Sequence, residues 1–287
     1  MFVVLFGIST LIHTIEALRY RIWWLIPTVL LAGAGEIIGW AGRLWSTYNL
    51  PDQTPFMMQI VCTIIAPTPL LAAIFIIFTR LTQTLGTCYS RLSPRWYSRV
   101  FLTCDIIALV IQGAGGGIAA GAKTNSAASS GGNIMLAGIV FQLGIMPRPT
   151  VQLVNTDKLQ RLVAAQLAFV AFATEFFYRF VHNRPILRKR DSVEGLNKTP
   201  TWNAKLKLMS LGLAISMGFL IIRSIYRTVE LGDGWTGRVL RTQVYFNVFD
   251  GAMVLVAIFI LNAFHPGFLL FSNAAREGIP VDTEGKN

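Results

Sequence analysis

Long apolar runs recur along the whole chain, and they constrain its fold more than any other feature. They lie at roughly 1–18, 22–44, 56–79, 100–121, 131–143 with 167–181, 204–224 and 243–264. A bilayer core is crossed by roughly 20 apolar residues in a helix, so most runs are near spanning length. The chain is 53% hydrophobic and only 14% charged, whereas soluble domains carry roughly 25% charged residues. The pattern predicts an all-α polytopic membrane protein, with about seven transmembrane helices in a single domain over 1–287.

The lysines and arginines gather in the short segments between the apolar runs, and their distribution predicts an orientation. The net charge of +11 could suggest nucleic acid, but cytoplasmic loops of membrane proteins carry the same excess. With the N-terminus outside, the outer side keeps only Arg43, Lys123, Arg223, Arg227, Arg238 and Arg241. The inner side then collects most of the others. We therefore expect an N-terminus outside, a cytoplasmic C-terminal tail over 268–287, and no nucleic-acid partner.

Residues 144–166 interrupt the fifth span with an atypical polar insert. It contains Pro147, Arg148, Pro149, Asp157 and Lys158, none of which suits a position facing lipid. The two flanking halves, at 131–143 and 167–181, are individually short, and joining them directly gives one helix of spanning length. Two explanations stay open. The insert is either a retained intron or gene-model error, or a genuine loop between two half-helices that line a cavity, as in some transporters.

Polar side chains inside the apolar runs fall on single helix faces. Glu36 and Arg43 are seven residues apart, which is about two helical turns, and Asp105 and Gln112 repeat that spacing in the fourth span. Similar stripes in the last two spans consist of Arg223, Arg227 and Glu230, and of Gln243, Asn247 and Asp250.

A charged group at the bilayer centre costs at least about 2.5 kcal/mol, so we expect these stripes to face each other across the bundle interior. In the predicted orientation they form a polar vestibule that opens outward. Two interpretations remain: charges that pair to hold helices together, and a substrate route. Glycines in the second and fourth spans predict close helix packing, and Pro67 and Pro69 predict a bend in the third span.

No constellation of residues in the sequence indicates catalysis. The histidines are His13, His182 and His265; three could hold a catalytic zinc, but they lie outside HxxxH or HExxH spacing. The predicted topology also places His13 and His265 at opposite membrane faces. The three cysteines form no CxxC pair, and no GxSxG nucleophile elbow occurs. We therefore expect no metal site, no cofactor and no enzyme activity.

Seven short motifs, in this order and at these helix ends, resemble the fungal lipid-translocating exporters. That family includes resistance-to-aminocholesterol proteins and a sphingoid long-chain base exporter. The motifs are EIIGWAGR at 36–43, IIAP at 64–67, DIIALVIQGAGGG at 105–117, GIVFQ at 138–142, IRSIYRTVELGDGWTG at 222–237, YFNVFDGAM at 245–253 and NAFHPG at 262–267. The resemblance covers nearly all of the chain except the insert and the tail.

The resemblance implies a seven-helix protein that translocates or exports amphiphilic lipids, such as sphingoid bases or sterol analogues, and contributes to resistance to toxic lipids or drugs. It implies membrane lipids and an amphiphilic small molecule as partners, and the plasma membrane as location, with endomembranes as the alternative. A seven-helix lipid sensor or receptor without transport activity is the rival interpretation. The substrate-binding residues carried over by motif position are Glu36, Arg43, Asp105, Gln112, Gln142, Arg223, Arg227, Glu230 and Asp250, with His265 as a further motif residue.

Overall fold

The structure is a computed structural model that describes residues 1–48, 54–90, 94–122, 124–144, 164–186, 202–232, 239 and 242–271. Within these ranges all regular structure is helical, which confirms the all-α prediction. Five stretches there are long and apolar enough to cross a membrane: Phe2–Tyr20, Trp23–Tyr48, Thr54–Leu85, Ala204–Glu230 and Gln243–Leu270. The count of seven spans and the orientation stay predictions.

The described helices follow the apolar runs, with shifted ends. They are α1 (Phe2–Tyr20), α2 (Leu31–Tyr48), α3 (Thr54–Ile65), α4 (Pro67–Leu85), α5 (Pro94–Ala120), α6 (Asn125–Gly144), α7 (Ala164–Val181), α8 (Ala204–Gly232) and α9 (Met253–Ala263). Short helical turns at Trp23–Leu25 and Ile26–Leu30 lead into α2. Turns at Gln243–Tyr245 and Phe246–Ala252 lead into α9, and a turn at Gly267–Phe271 follows it.

The outer surface of α1 shows how the fold meets its surroundings. Val4, Leu11, Ile15 and Leu18 are all exposed, whereas Phe6 on the opposite face is fully buried. A contiguous exposed apolar surface marks a membrane or partner interface. Because α1 is also long and apolar enough to cross a membrane, this surface indicates contact with lipid.

The third span is interrupted at Ala66, between α3 and α4, where the sequence predicted an effect of proline. Pro67 has no backbone N–H, so the carbonyl of Thr63, one turn earlier, loses its usual partner. That freed carbonyl accepts a hydrogen bond from the side chain of Arg223 in α8. The proline therefore opens a backbone acceptor toward the bundle interior.

Glycines let α2 lie directly on α3. A Cβ atom at Gly39 would lie 2.7 Å from Cγ2 of Thr63, and one at Gly35 would lie 2.8 Å from Cβ of Ala66. Both distances are too short for a real side chain, so the spacing acts as a small-residue packing motif, as predicted. This close approach brings the interior face of α2 against Thr63.

Helix α6 begins at Asn125, ahead of the predicted start at 131. Its first turns are rich in small residues of modest helix propensity, but they pack tightly on α5: a Cβ atom at Gly131 would lie 2.5 Å from the backbone nitrogen of Ala119. Tertiary packing thus extends the helix. The insert prediction falls mainly on residues 145–163, which lie outside the described residues.

Candidate functional site

A buried network of charges lies between α2, α3, α8 and the turn that precedes α9, and Arg227 is its centre. Arg227 is 1% exposed. Its Nε and Nη2 atoms donate to the two carboxylate oxygens of Asp250 at 2.8 and 2.6 Å, a bidentate pair. Its Nη1 donates to Glu230 at 2.7 Å, and Nη2 also donates to the hydroxyl of Thr63 at 2.6 Å. One arginine therefore joins three helical segments that are distant in sequence.

A second arginine, Arg223, lies one helical turn before Arg227 on α8. Its Nε atom is 2.9 Å from Asp250 Oδ1, and its Nη2 donates to the backbone carbonyl of Thr63. Asp250 thus contacts two guanidinium groups, while Thr63 offers both its hydroxyl and its carbonyl. The network depends on the carbonyl that Pro67 leaves without an N–H partner.

Glu36 of α2 adds a third carboxylate, and it is fully buried. Trp40, one turn later, donates from Nε1 to Glu36 Oε2 at 3.2 Å. Among the described residues, the other carboxylate oxygen has no hydrogen-bond partner. Glu36 lies within electrostatic range of Asp250, Arg223 and Arg227. It therefore presents one unsatisfied carboxylate oxygen inside the bundle.

Arg43 lies at the rim of the network and is half-buried. Its guanidinium carbon is 4.8 Å from the ring centroid of Phe246 and 5.6 Å from that of Trp40. Such contacts hold a cation over aromatic faces. Phe246 is shared, because the guanidinium carbon of Arg227 lies 5.0 Å from the same ring. The Phe246 ring therefore contacts both the rim arginine and the buried one.

The structure brings together Glu36, Arg223, Arg227, Glu230 and Asp250, with Arg43 beside them, as the interior-stripe inference expected. Gln112 is also buried, but it packs against Gly138 of α6: a Cβ atom there would lie 2.7 Å from Gln112 Cγ. The side chains of Asp105 and Gln142 lie outside the described part of the chain. Whether any of these residues binds substrate stays a prediction.

The predicted stripe in the last span is only partly present. Gln243 is exposed, whereas Asp250 is fully buried. The reason is the π-helical turn at Phe246–Ala252, whose longer hydrogen-bond loop rotates later side chains by less per residue than an α-helix does. The expected α-helical alignment of Gln243 with Asp250 is therefore lost.

The expected outward-opening vestibule is not seen at this network. Glu36, Glu230, Asp250 and Arg227 are each at most 1% exposed, and Arg223 is 7% exposed. The described side chains form a closed arrangement of ion pairs. The pairing interpretation therefore describes the observed geometry, and a substrate route through this network requires the ion pairs to open.

Three network residues were missed by the sequence reasoning. Trp40 follows Glu36 by four residues. Tyr226 precedes Glu230 by four residues, and its hydroxyl donates to Glu230 at 3.0 Å. The i, i+4 spacing could have identified both, because such side chains are neighbours on a helix. Thr63 could not be found this way, since 164 residues separate it from Arg227.

The prediction that His13 and His265 lie at opposite membrane faces is wrong. Their ring centroids are 6.0 Å apart. α1 runs from Phe2 to Tyr20, so His13 lies in its second half. That half packs against α9 and the residues after it, because His13 Nε2 lies 3.3 Å from the backbone carbonyl of Ile258 and Glu16 Oε2 lies 3.5 Å from His265 Nε2.

An apolar cavity of about 190 Å³ lies between α4, α7 and α8. Its lining includes Phe78, Phe169, Phe177, Met217 and Ile221. Ile221 and Met217 lie roughly one to three turns before Arg227 on α8, which is about 9 to 15 Å along a helix axis. An apolar space and a charged network thus follow each other along one helix.

Comparisons with known proteins agree with this membrane architecture. The sequence profile of the family described as RTA1 like protein matches residues 29–148 and 159–273. The sphingoid long-chain base transporter RSB1 of Saccharomyces cerevisiae is 28% identical, covering 93% of this chain and 70% of the relative. Protein RTA1 of the same species is 26% identical over 88% of this chain and 71% of the relative, and protein RTM1 is 27% identical over 80% and 64%. No solved structure matches. Helices and relatives together show an integral membrane protein and suggest lipid transport or resistance.

Proposed function

The chain belongs to the RTA1-like protein family, and from this premise we propose that it translocates amphiphilic lipids across the bilayer. Sphingoid bases are the first substrate class, because the relative RSB1 is named a sphingoid long-chain base transporter; sterol analogues are the second. Export of such molecules at the plasma membrane would contribute to resistance to toxic lipids or drugs. The aligned region covers most of this chain and includes every network residue, Glu36 among them.

The observation that carries the proposal is the unsatisfied oxygen of Glu36. A sphingoid base has a cationic amino head, and a buried carboxylate oxygen without a hydrogen-bond partner is the group that such a head pairs with. A hydrogen bond to a charged group contributes roughly 1.5–3 kcal/mol. Asp250 and Glu230 already pair with Arg227. Glu36 is therefore the carboxylate that can bind a cation without first breaking an ion pair.

The apolar cavity supports the second half of the proposal. An amphiphile whose head lies at Glu36 keeps its tail in an apolar environment, either lipid or the space lined by Phe78, Phe169 and Met217. In this mechanism the head crosses the bilayer along the interior charges while the tail stays in hydrocarbon. The ion pairs of the network must then exchange partners during each crossing, because the described arrangement is closed.

The test is transport of a labelled sphingoid base by purified protein in vesicles. We expect Glu36→Gln to lower the initial rate roughly 10- to 100-fold, since 1.4 kcal/mol corresponds to a tenfold change. Glu175→Gln is the matched control, because Glu175 pairs with Arg179 at the protein surface. Equal rates for the two variants, at equal reconstitution, would remove Glu36 from the route.

The same vesicles distinguish the rival function, a lipid sensor or receptor. The closed ion-pair network favours this rival, because a sensor needs a binding site but no continuous path. Binding of the labelled base by the wild-type protein without any flux would support the sensor and refute translocation. Flux that requires the protein supports translocation.

A further inference from the structure

Two histidines and a glutamate converge where α1 ends and where the chain leaves α9. His13 and Glu16 lie one turn apart on α1, and His265 follows α9 by two residues. Nδ1 of His13 and Nε2 of His265 lie 3.6 and 3.5 Å from the same Glu16 oxygen, Oε2. All three atoms lie within 4.8 Å of one another. Side chains from both ends of the sequence thus meet at one point.

These three atoms are buried and, among the described residues, have no hydrogen-bond partner. His13 is fully buried and His265 is 3% exposed, while the Glu16 side chain is 22% exposed. Buried polar atoms are nearly always satisfied, and each exception calls for an explanation such as an ion. Three unsatisfied atoms directed at one point share a single explanation.

We propose that His13, Glu16 and His265 bind a divalent transition-metal ion of the zinc class. Zinc takes histidine nitrogen at about 2.0–2.1 Å and carboxylate oxygen at about 2.0–2.2 Å, so neighbouring ligands of a tetrahedral ion lie about 3.4 Å apart. The two distances to Glu16 Oε2, 3.5 and 3.6 Å, fit this value. Two histidines and one carboxylate leave a fourth position for water or another ligand.

The surroundings of His13 prepare it for this role. Its other ring nitrogen, Nε2, lies 3.3 Å from the backbone carbonyl of Ile258 on α9. Donation to that carbonyl places the ring proton on Nε2 and leaves the lone pair of Nδ1 directed at Glu16. A metal-bound histidine characteristically donates its second N–H to a carbonyl or carboxylate in this way.

His265 requires one local change. Its Nδ1 accepts from the N–H of Gly267 at 3.2 Å, so the ring proton is on Nε2, where it faces Glu16. Metal binding through Nε2 moves that proton to Nδ1, and the Gly267 N–H then has to turn away. Ion binding is therefore coupled to the helical turn at Gly267–Phe271.

The site is separate from the charged network. His265 follows Asp250 by 15 residues, which is about 22 Å along a helix axis. The ion would fasten α1 to the end of α9, next to contacts already present, such as the 2.6 Å bond from Asn262 to the Ser9 hydroxyl. The inference therefore does not rest on the proposed lipid transport.

The test uses the full chain, purified with an affinity tag that contains no histidine, treated with a chelator and titrated with Co²⁺ and then Zn²⁺. We expect about one metal ion per chain, a visible Co²⁺ absorption band, and a higher unfolding temperature with metal, because an ion that binds only the folded state stabilises it. His13→Ala should lower the affinity at least tenfold, by analogy with the 10- to 100-fold effect of second-shell changes.

His182→Ala is the matched control, because His182 is exposed and lies outside this cluster. It should bind metal like the wild type. Glu16→Gln changes a partly exposed residue and serves if His13→Ala does not fold; it too should lose affinity. A wild-type protein that retains no metal, or equal binding by the His13, Glu16 and His182 variants, would overturn the proposal.

Discussion

Replacing Arg227 with methionine tests the buried charge network most directly. Arg227 makes four hydrogen bonds of 2.6 to 2.8 Å and is 1% exposed. Four polar contacts at the membrane-protein average of about 0.6 kcal/mol each give about 2.4 kcal/mol. The change also removes a positive charge that pairs with the carboxylates of Asp250 and Glu230. Breaking a buried ion pair costs about 3–5 kcal/mol. We expect the free energy of unfolding to fall by about 3–5 kcal/mol.

The matched control is Arg179→Met in α7. Arg179 also pairs with a carboxylate, 2.7 Å away on Glu175, but these two side chains are 28% and 27% exposed. Exposed pairs contribute about 0–1 kcal/mol. The assay is unfolding in mixed micelles by titration with sodium dodecyl sulfate, followed with a dye that reacts with the free thiols of Cys62, Cys88 and Cys104. Equal losses for the two variants would refute the reasoning.

A double variant separates lost contacts from stranded charge. Asp250→Asn combined with Arg227→Met removes both members of the central pair. The single Arg227 variant leaves the buried Asp250 carboxylate without its main partner. If this unpaired charge causes most of the loss in stability, the double variant loses less free energy of unfolding than the two single variants added together, because residues in contact are not additive. Additive losses would show that the two side chains are energetically independent and would contradict the network.

Two further pairs of variants test the packing. Gly251→Ala should lower the free energy of unfolding by about 1–3 kcal/mol, because its Cβ atom would lie 2.2 Å from the Trp40 ring. Gly218→Ala should raise it by up to about 1 kcal/mol, because the added Cβ atom would meet no described atom within 4 Å apart from its chain neighbours and the backbone of its own helix. Ser216→Ala should cost about 0.6–1.7 kcal/mol, because its hydroxyl donates to an α9 carbonyl at 2.6 Å. Ser210→Ala should change the free energy of unfolding by no more than about 0.5 kcal/mol, since among the described residues that hydroxyl donates to a carbonyl of its own helix, at 2.8 Å. The micelle assay measures all four, and a reversed order within either pair would contradict the packing described.

The interior location of the charges was predictable because lipid penalises them. Spacing alone placed Arg223, Arg227 and Glu230 on one face of α8, and the cost of charge in hydrocarbon directed that face inward. Which carboxylate pairs with which arginine was not predictable. That choice depends on the π-helical turn at Phe246–Ala252, which brings Asp250 inward and leaves Gln243 exposed.

The sequence by itself determined that the chain is helical and lies in a membrane, because apolar runs near 20 residues have the length of a helical span, and a helix satisfies its backbone hydrogen bonds within the run itself. Only the tertiary structure decided the partners. Thr63 meets Arg227 across 164 residues, and His13 meets His265 from the opposite end of the chain. Local spacing describes one helix face at a time. The pairing of faces follows from glycine contacts, from the carbonyl that Pro67 leaves without an N–H partner, and from the direction in which α1 and α9 run.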